Sequence, residues 1–273
     1  MAETQVSSVK TIGRAATVLH ALSGVKTGGL RLSEVVERAD LGKATVHRLL
    51  QALADVGFVE IDESEKVYRL GYALYALGAA AQGYHVVALA KPGLQRLAAA
   101  TGDTVYLSVR DGDEVICVDR RTGPFPIRTL TLDVGDRRPL GVGAGALAML
   151  AFEPDEEVDR VLRANRAARF AFPAFDDALV RAQIAHARKS GFTLNEGGIV
   201  SAMTGIGVPV RDAEDRVVAA LSLAAIRERF EGDQLADRVA LLRAEADELS
   251  RGLAARPAAP ARQRRARVKE EQH

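Results

Sequence analysis

The chain has 273 residues and a formal net charge of +1, with 48% hydrophobic, 27% charged and 5% aromatic residues. That length has room for two domains with sizeable cores, and the composition is that of a soluble globular protein. A charge so near zero excludes a polybasic, histone-like binder, and the lone Cys117 excludes an internal disulfide or a multi-cysteine metal centre.

Residues 1–7 read as a flexible tail. MAETQVSSVK lacks the apolar stretch of a signal peptide, and a chain this poor in cysteine fits a reducing compartment, so the expected location is the cytoplasm. The longest apolar run, Leu140 to Phe152, is too short to span a bilayer and is broken by Gly141, Gly143 and Gly145. From Ser8 to Leu22, Ile12, Ala15, Ala16, Leu19 and Leu22 share one face of a predicted amphipathic helix. VKTGGL (25–30) is a glycine-containing loop.

A short helix from Ser33 to Ala39 follows, with Ser33 as its expected N-cap. Asp40-Leu41-Gly42 makes a tight turn. A longer helix then places Val46, Leu49, Leu50 and Leu53 on one stripe, at i, i+3, i+4 and i+7. Ala44, Arg48 and Gln51 lie on the opposite side, flanked by Thr45 and His47, with Lys43 in the first turn. No acid occurs from Leu41 to Ala54, although the first 85 residues carry nine Lys/Arg and nine Asp/Glu. Helix, short turn, longer polar-faced helix is the order of a helix-turn-helix. Arg can pair with guanine, Gln with adenine, and Thr can meet a phosphate or a thymine methyl.

Gly57 closes that helix. FVEIDESEKVYRL then alternates as a small hairpin turning at residues 62–65, where a winged helix keeps its wing. Lys66 and Arg69 are placed to touch phosphate; Tyr68 reads as packing for the wing. With Arg31 and Ser33 at the start of the short helix, the expected DNA-facing set is Arg31, Ser33, Lys43, Ala44, Thr45, His47, Arg48, Gln51, Lys66 and Arg69.

GYALYALGAAAQG (71–83) is a charge-free linker helix expected to pack against a partner subunit, and His85 to Ala100 continues as helix through Pro92. The second half reads as strands in hairpins with helices between them. The predicted strands are 104–110, 114–121, 127–132, 192–196, 203–211 and 217–226. The predicted helices begin at Gly143, Pro154, Asp176 and Gln234. This is an antiparallel sheet covered by helices, the shape of a sensory domain. The Ala-, Pro- and Arg-rich segment 255–273 is expected to be disordered and basic.

The chain resembles the IclR family of bacterial transcriptional regulators. The likeness is carried by SVKTIGRAATVLHAL, LSEVVERADLGKATVHRLLQALADVGFVE, YRLGYALYALG, DTVYLSVRDGDEVICVDR, GDRRPLGVGAGALAMLA, RKSGFTLNEGG and IGVPVRDAEDRVVAALSLAAI, in this order and spacing. The resemblance implies an α/β (α+β) chain: a winged helix-turn-helix over 8–70, a linker helix over 71–85 and a GAF-like effector-binding domain over 86–254. It also implies a homodimer or dimer of dimers on a palindromic operator in double-stranded DNA, and a small organic-acid or aromatic effector.

Carried over by position, the recognition segment falls on Lys43 to Arg48 and Gln51, with Val46 a core position by periodicity. The effector pocket falls on Gly143, Ala144, Gly145, Asn195, Glu196, Pro209, Ser222 and Ala224. On residue chemistry alone Arg120, Arg121 and Arg128 are candidates to face an anionic effector, with surface exposure as the alternative, and Arg128 is included in the expected set. Two departures point to a more apolar pocket: Ala146-Leu147 stands where the family usually has Gly-Lys, and Ala224 stands near a position often polar. The Gly-rich turn also offers exposed N–H groups to a carboxylate on physical grounds alone; helix-on-sheet packing explains the same glycines.

Two other functions stay open on the sequence. One is an enzyme acting on a small acid or ester; against it, there is no G-x-S-x-G, P-loop or H-E-x-x-H, and the five histidines have no metal spacing. Gly141-x-Gly143 lacks the preceding strand and later acid of a dinucleotide fingerprint. No catalytic residue, metal or cofactor is therefore expected. The other is a sequence-blind architectural DNA binder.

Overall fold

A computed structural model describes residues 3–23, 28–80 and 85–255. The expected disorder of the carboxyl tail falls, from residue 256 onward, outside the described residues. The chain divides into two compact units, Met1–Gln82 and Gly83–His273.

In the first unit, α1 runs Glu3–Ser23. It takes in residues 3–7, expected as a tail. Strand β1 (Leu30–Arg31) leads into α2 (Leu32–Ala39). Arg31, not Ser33, holds the N-cap position, and its N–H donates to Glu34 Oε2 at 2.7 Å. This is the N3 half of a capping box, in which the carboxylate three residues on accepts the N-cap N–H, and Ser33 lies within the first turn. Asp40 ends α2 in the left-handed region at φ 49°. Helix α3 (Lys43–Asp55) starts at Gly42 and buries Val46, Leu49, Leu50 and Leu53.

These residues pack with Val18, Leu22, Val35, Val59 and Tyr68 in one core. Strands β2 (Val59–Asp62) and β3 (Val67–Leu70) form the hairpin, and β1 joins it in the order β1-β3-β2. Leu30, expected in a loop, pairs with Tyr68 and is buried. Asp62 Oδ1 accepts from the N–H groups of Ser64 and Glu65, both at 3.1 Å, and so sets the wing turn. Helix α4 (Tyr72–Ala80) follows, with Tyr72, Tyr75 and Leu77 exposed.

The second unit opens with α5 (His85–Thr101), which runs on through Pro92. Its sheet contains β4 (Thr104–Asp111), β5 (Glu114–Thr122), β6 (Arg137–Pro139), β7 (Thr193–Glu196), β8 (Met203–Arg211) and β9 (Val217–Ile226). The order is β6-β5-β4-β9-β8-β7, antiparallel at every step. Alternation sends Val105, Leu107, Ile206, Val208, Leu221 and Leu223 to one face, against α5 and α10 (Gln234–Ala254). The other face is covered by α6 (Ala144–Ala151); α7 (Asp155–Ala164), the one-turn α8 (Arg166–Arg169) and α9 (Asp177–Ser190) follow, and α7 and α9 build the second core with α6.

The predicted strand 127–132 is not one. Its carbonyls are held by side chains instead: Tyr106 donates to Thr129, Arg138 to Thr131 at 2.6 Å and Arg120 to Leu132 at 2.8 Å. Strand β6 takes the edge place on β5, pairing Glu114 with Pro139.

Asp103, 4% exposed, ties the end of α5 to the chain's later half. It accepts from Arg229 Nε at 2.5 Å and from Arg238 Nε at 3.1 Å. Removing one charge of a buried cluster strands the others, so Asp103→Asn should cost about 3–5 kcal/mol in urea unfolding. A change under about 1 kcal/mol would show that the cluster is solvated.

Candidate functional site

On α3 the buried stripe fixes what faces water. Lys43, Ala44, His47, Arg48 and Gln51 are exposed, Thr45 is half-buried and Val46 is buried. Among the described residues no ion pair or hydrogen bond engages the side chains of Lys43, His47, Arg48 or Gln51. Most other arginines among the described residues are held by carboxylates or carbonyls, so this face is chemically distinct.

Arg31 and Ser33 are exposed at the start of α2. Lys66 is exposed on the wing, with φ 54°. Arg69 is different: it meets Asp62 at 3.3 Å and Glu65 at 2.9 Å, and its Nε donates to the Gly28 carbonyl at 3.2 Å. Its charge is answered inside the wing, so it braces the hairpin rather than presenting a free cation. Tyr68 is buried in the core, as its packing role requires.

The second unit holds a cavity between the sheet and the first turn of α6. Gly143, Ala144 and Gly145 line it with Asn195, Ser222 and Ala224, all expected there. The space open to the centres of water-sized bodies is about 50 Å³, several times what a single water needs. Glycine is required by geometry. Gly143 has φ 81°, and a Cβ on Gly145 would lie 3.0 Å from Ser222 Oγ. On β8, a Cβ on Gly207 would lie 2.5 Å from the Ala144 carbonyl, so helix and strand meet backbone to backbone. Thr193 Oγ donates to that carbonyl at 2.7 Å. Close packing and an open helix start are thus both served by these glycines.

Three expected residues fall elsewhere. Arg128 is exposed and absent from the lining, because the segment carrying it is not a strand aimed at the sheet face. Glu196 follows the inward Asn195 on β7, and strand alternation turns it outward. Pro209 borders a separate depression beside Arg211, Asp212 and Ser250.

In their place the cavity gains Arg138, Tyr106 and Ser108. Arg138 is 9% exposed, and burial pushes its guanidinium below the usual arginine value. Nη1 sits 3.2 Å from where a Gly143 Cβ would be. The sequence signal was there, since Arg137-Arg138 precedes the Gly-rich turn. Alternation on β6 sets Arg137 outside, paired with Asp111 and Glu114, and Arg138 inside. Tyr106 and Ser108 were hidden within a strand whose inward face was undefined until β9 was placed beside it.

Among the described residues no group of His, Cys, Asp and Glu could hold a metal ion, and no helix is long and apolar enough to cross a membrane.

Two family descriptions match the chain: "IclR helix-turn-helix domain" over residues 11–63 and "Bacterial transcriptional regulator IclR C-terminal" over 78–251. The chain is 30% identical over 208 residues to the HTH-type transcriptional regulator KipR of Bacillus subtilis, covering 76% of this chain and 82% of that one. An IclR transcriptional regulator from Alicyclobacillus acidocaldarius has the same fold, with TM-score 0.74, 27% identity and 89% and 98% of the two chains covered. So has an IclR homolog from Microbacterium hydrocarbonoxydans complexed with 4-hydroxybenzoate, at TM-score 0.74, 25% identity and 90% and 100% coverage.

Near the cavity, Cys117 is buried, and burial pushes its thiol up to about 12. Such a thiol is a packing group rather than a nucleophile. It should stay unmodified by an aromatic disulfide reagent at pH 8 until the protein is denatured. Rapid reaction of the folded protein would contradict that burial.

Proposed function

The chain belongs to the IclR family of bacterial transcriptional regulators and is not an enzyme; from that premise we propose a cytoplasmic regulator whose operator affinity is set by a small organic acid. The observation that carries the DNA reading is the outer face of α3, with Lys43, His47, Arg48 and Gln51 exposed, none of them paired among the described residues and no acid between Leu41 and Ala54. A face of that kind suits the major groove, where Arg48 and Gln51 meet base edges and Lys43 and Thr45 meet phosphate. Arg31 and Lys66 add contacts to the backbone of the duplex. A homodimer, or a dimer of dimers, would present two such helices to a palindromic operator.

The effector reading rests on the cavity at the start of α6 and on the Microbacterium hydrocarbonoxydans homolog, whose bound 4-hydroxybenzoate is a small aromatic carboxylate. The free N–H groups of a helix start, together with the Ser222 hydroxyl, suit such a group.

Fragments from the promoters flanking the chain's own gene, titrated against random DNA, test the first part. A specific regulator prefers one of them by about a thousandfold or more, and an architectural binder shows no preference. Arg48→Ala should weaken that binding by about 1–3 kcal/mol with the fold intact. Unchanged affinity would assign base reading to another residue. Ser222→Ala should leave operator affinity unchanged and blunt its response to 4-hydroxybenzoate or a related acid. An undiminished response would remove Ser222 from the pocket's working groups.

A further inference from the structure

Three arginines are buried among the described residues: Arg138, Arg169 and Arg238. Two of them meet a carboxylate. Arg169 gives Nε to Asn165 at 2.8 Å, Nη1 to the Phe175 carbonyl at 2.9 Å, and Nη2 to the Leu162 carbonyl at 2.8 Å and to the Asp177 carboxylate. Arg238 meets Asp103 at 3.1 Å and the Gln234 side chain at 3.0 Å. Arg138 is the exception. Its Nη2 donates to the Thr131 carbonyl, and among the described residues no group accepts from its Nε or Nη1. No carboxylate pairs with it there, although Asp136 is near enough to favour its charge.

A buried cation that the protein leaves without a counter-charge costs several kcal/mol unless an anion meets it. Arg138 lines the cavity, and its Nη1 lies at Gly143, the residue that caps α6. Two hydroxyls continue the polar lining. Ser108 and Ser222 lie 3.7 and 3.0 Å from where a Gly145 Cβ would be, and neither hydroxyl has a hydrogen-bond partner among the described residues.

We propose that Arg138 determines the charge class of the effector: a carboxylate docks between its free edge and the first turn of α6. The inference rests on the effector reading above and adds the residue that enforces it. One guanidinium then has two tasks. The same side chain that meets the carboxylate holds the Thr131 carbonyl, so ligand charge bears on the segment 127–132, whose Ile127 and Leu130 face water. A neutral isostere of the acid leaves the guanidinium unanswered and binds poorly.

The test uses the full chain and its Arg138→Met and Arg138→Lys variants, by thermal shift and calorimetry. The probes are benzoate, pyruvate, succinate, benzamide and inorganic phosphate. We expect at least one carboxylate to bind the wild type in preference to benzamide and phosphate. Arg138→Met should weaken it about tenfold or more, and Arg138→Lys, which keeps the charge, should weaken it less. If Arg138→Met does not fold, the lysine variant and the acid-to-amide preference decide. A carboxylate that binds both variants as the wild type does, or benzamide or phosphate binding better than every carboxylate, overturns the part given to Arg138 alone. A wild type that ignores every probe overturns this inference together with the effector reading beneath it.

Discussion

One-sided burial of α3 is the constraint on which the DNA-facing unit depends. Val46, Leu49, Leu50 and Leu53 are buried against α1, α2 and the hairpin, each contributing about 1.5–3 kcal/mol by leaving water. A helix fixed along that stripe has no freedom to rotate. Its opposite face is therefore fixed too, and that face carries the basic and amide groups. From Leu41 to Ala54 no acid interrupts this face; Glu34 accepts the backbone N–H of Arg31 at the start of α2, and Asp62 and Glu65 pair with Arg69 in the wing. Charge segregation, not net charge, makes a near-neutral chain fit for a duplex.

The second unit depends on a different contact. Helix α6 lies so close on β8 that the Gly207 position admits no side chain, and Thr193 bonds the Ala144 carbonyl across the gap. That approach brings the N–H groups of the first turn of α6 to the sheet face carrying Tyr106, Ser108 and Ser222. Placing a buried guanidinium there costs stability, and proteins tolerate such costs mainly where they serve function. Arg169 and Arg238 are the contrast within the same domain, because each has the partners that make it structural.

Much of this was legible in the sequence. The stripe of α3, the turn at Asp40 to Gly42, the hairpin and the strands β4, β5, β8 and β9 all follow from periodicity and turn residues. Gly143, Ala144, Gly145, Asn195, Ser222 and Ala224 as cavity residues came from the family likeness, carried over by position. What was not legible needed neighbours. The segment 127–132 alternates like a strand, but its carbonyls are taken by Tyr106, Arg138 and Arg120 from elsewhere in the fold. Which of two adjacent arginines turns inward depends on the register of β6 against β5. Glu196 and Pro209 carry over by position, but side-chain direction on β7 and β8 decides against them. Ser33 has the chemistry of a cap, but the reach of Glu34 back to Arg31 is a three-dimensional fact.

In the function proposed above, the exposed face of α3 reads sequence in duplex DNA. Selection of binding sites from a random duplex library, run with the full chain and with an Arg48→Ala, Gln51→Ala double variant, tests it most directly. The account predicts that the wild type enriches a palindromic motif and that the double variant loses preference at specific positions within each half-site. A folded wild-type chain that enriches no motif, or a double variant that enriches the same motif unchanged, would contradict it.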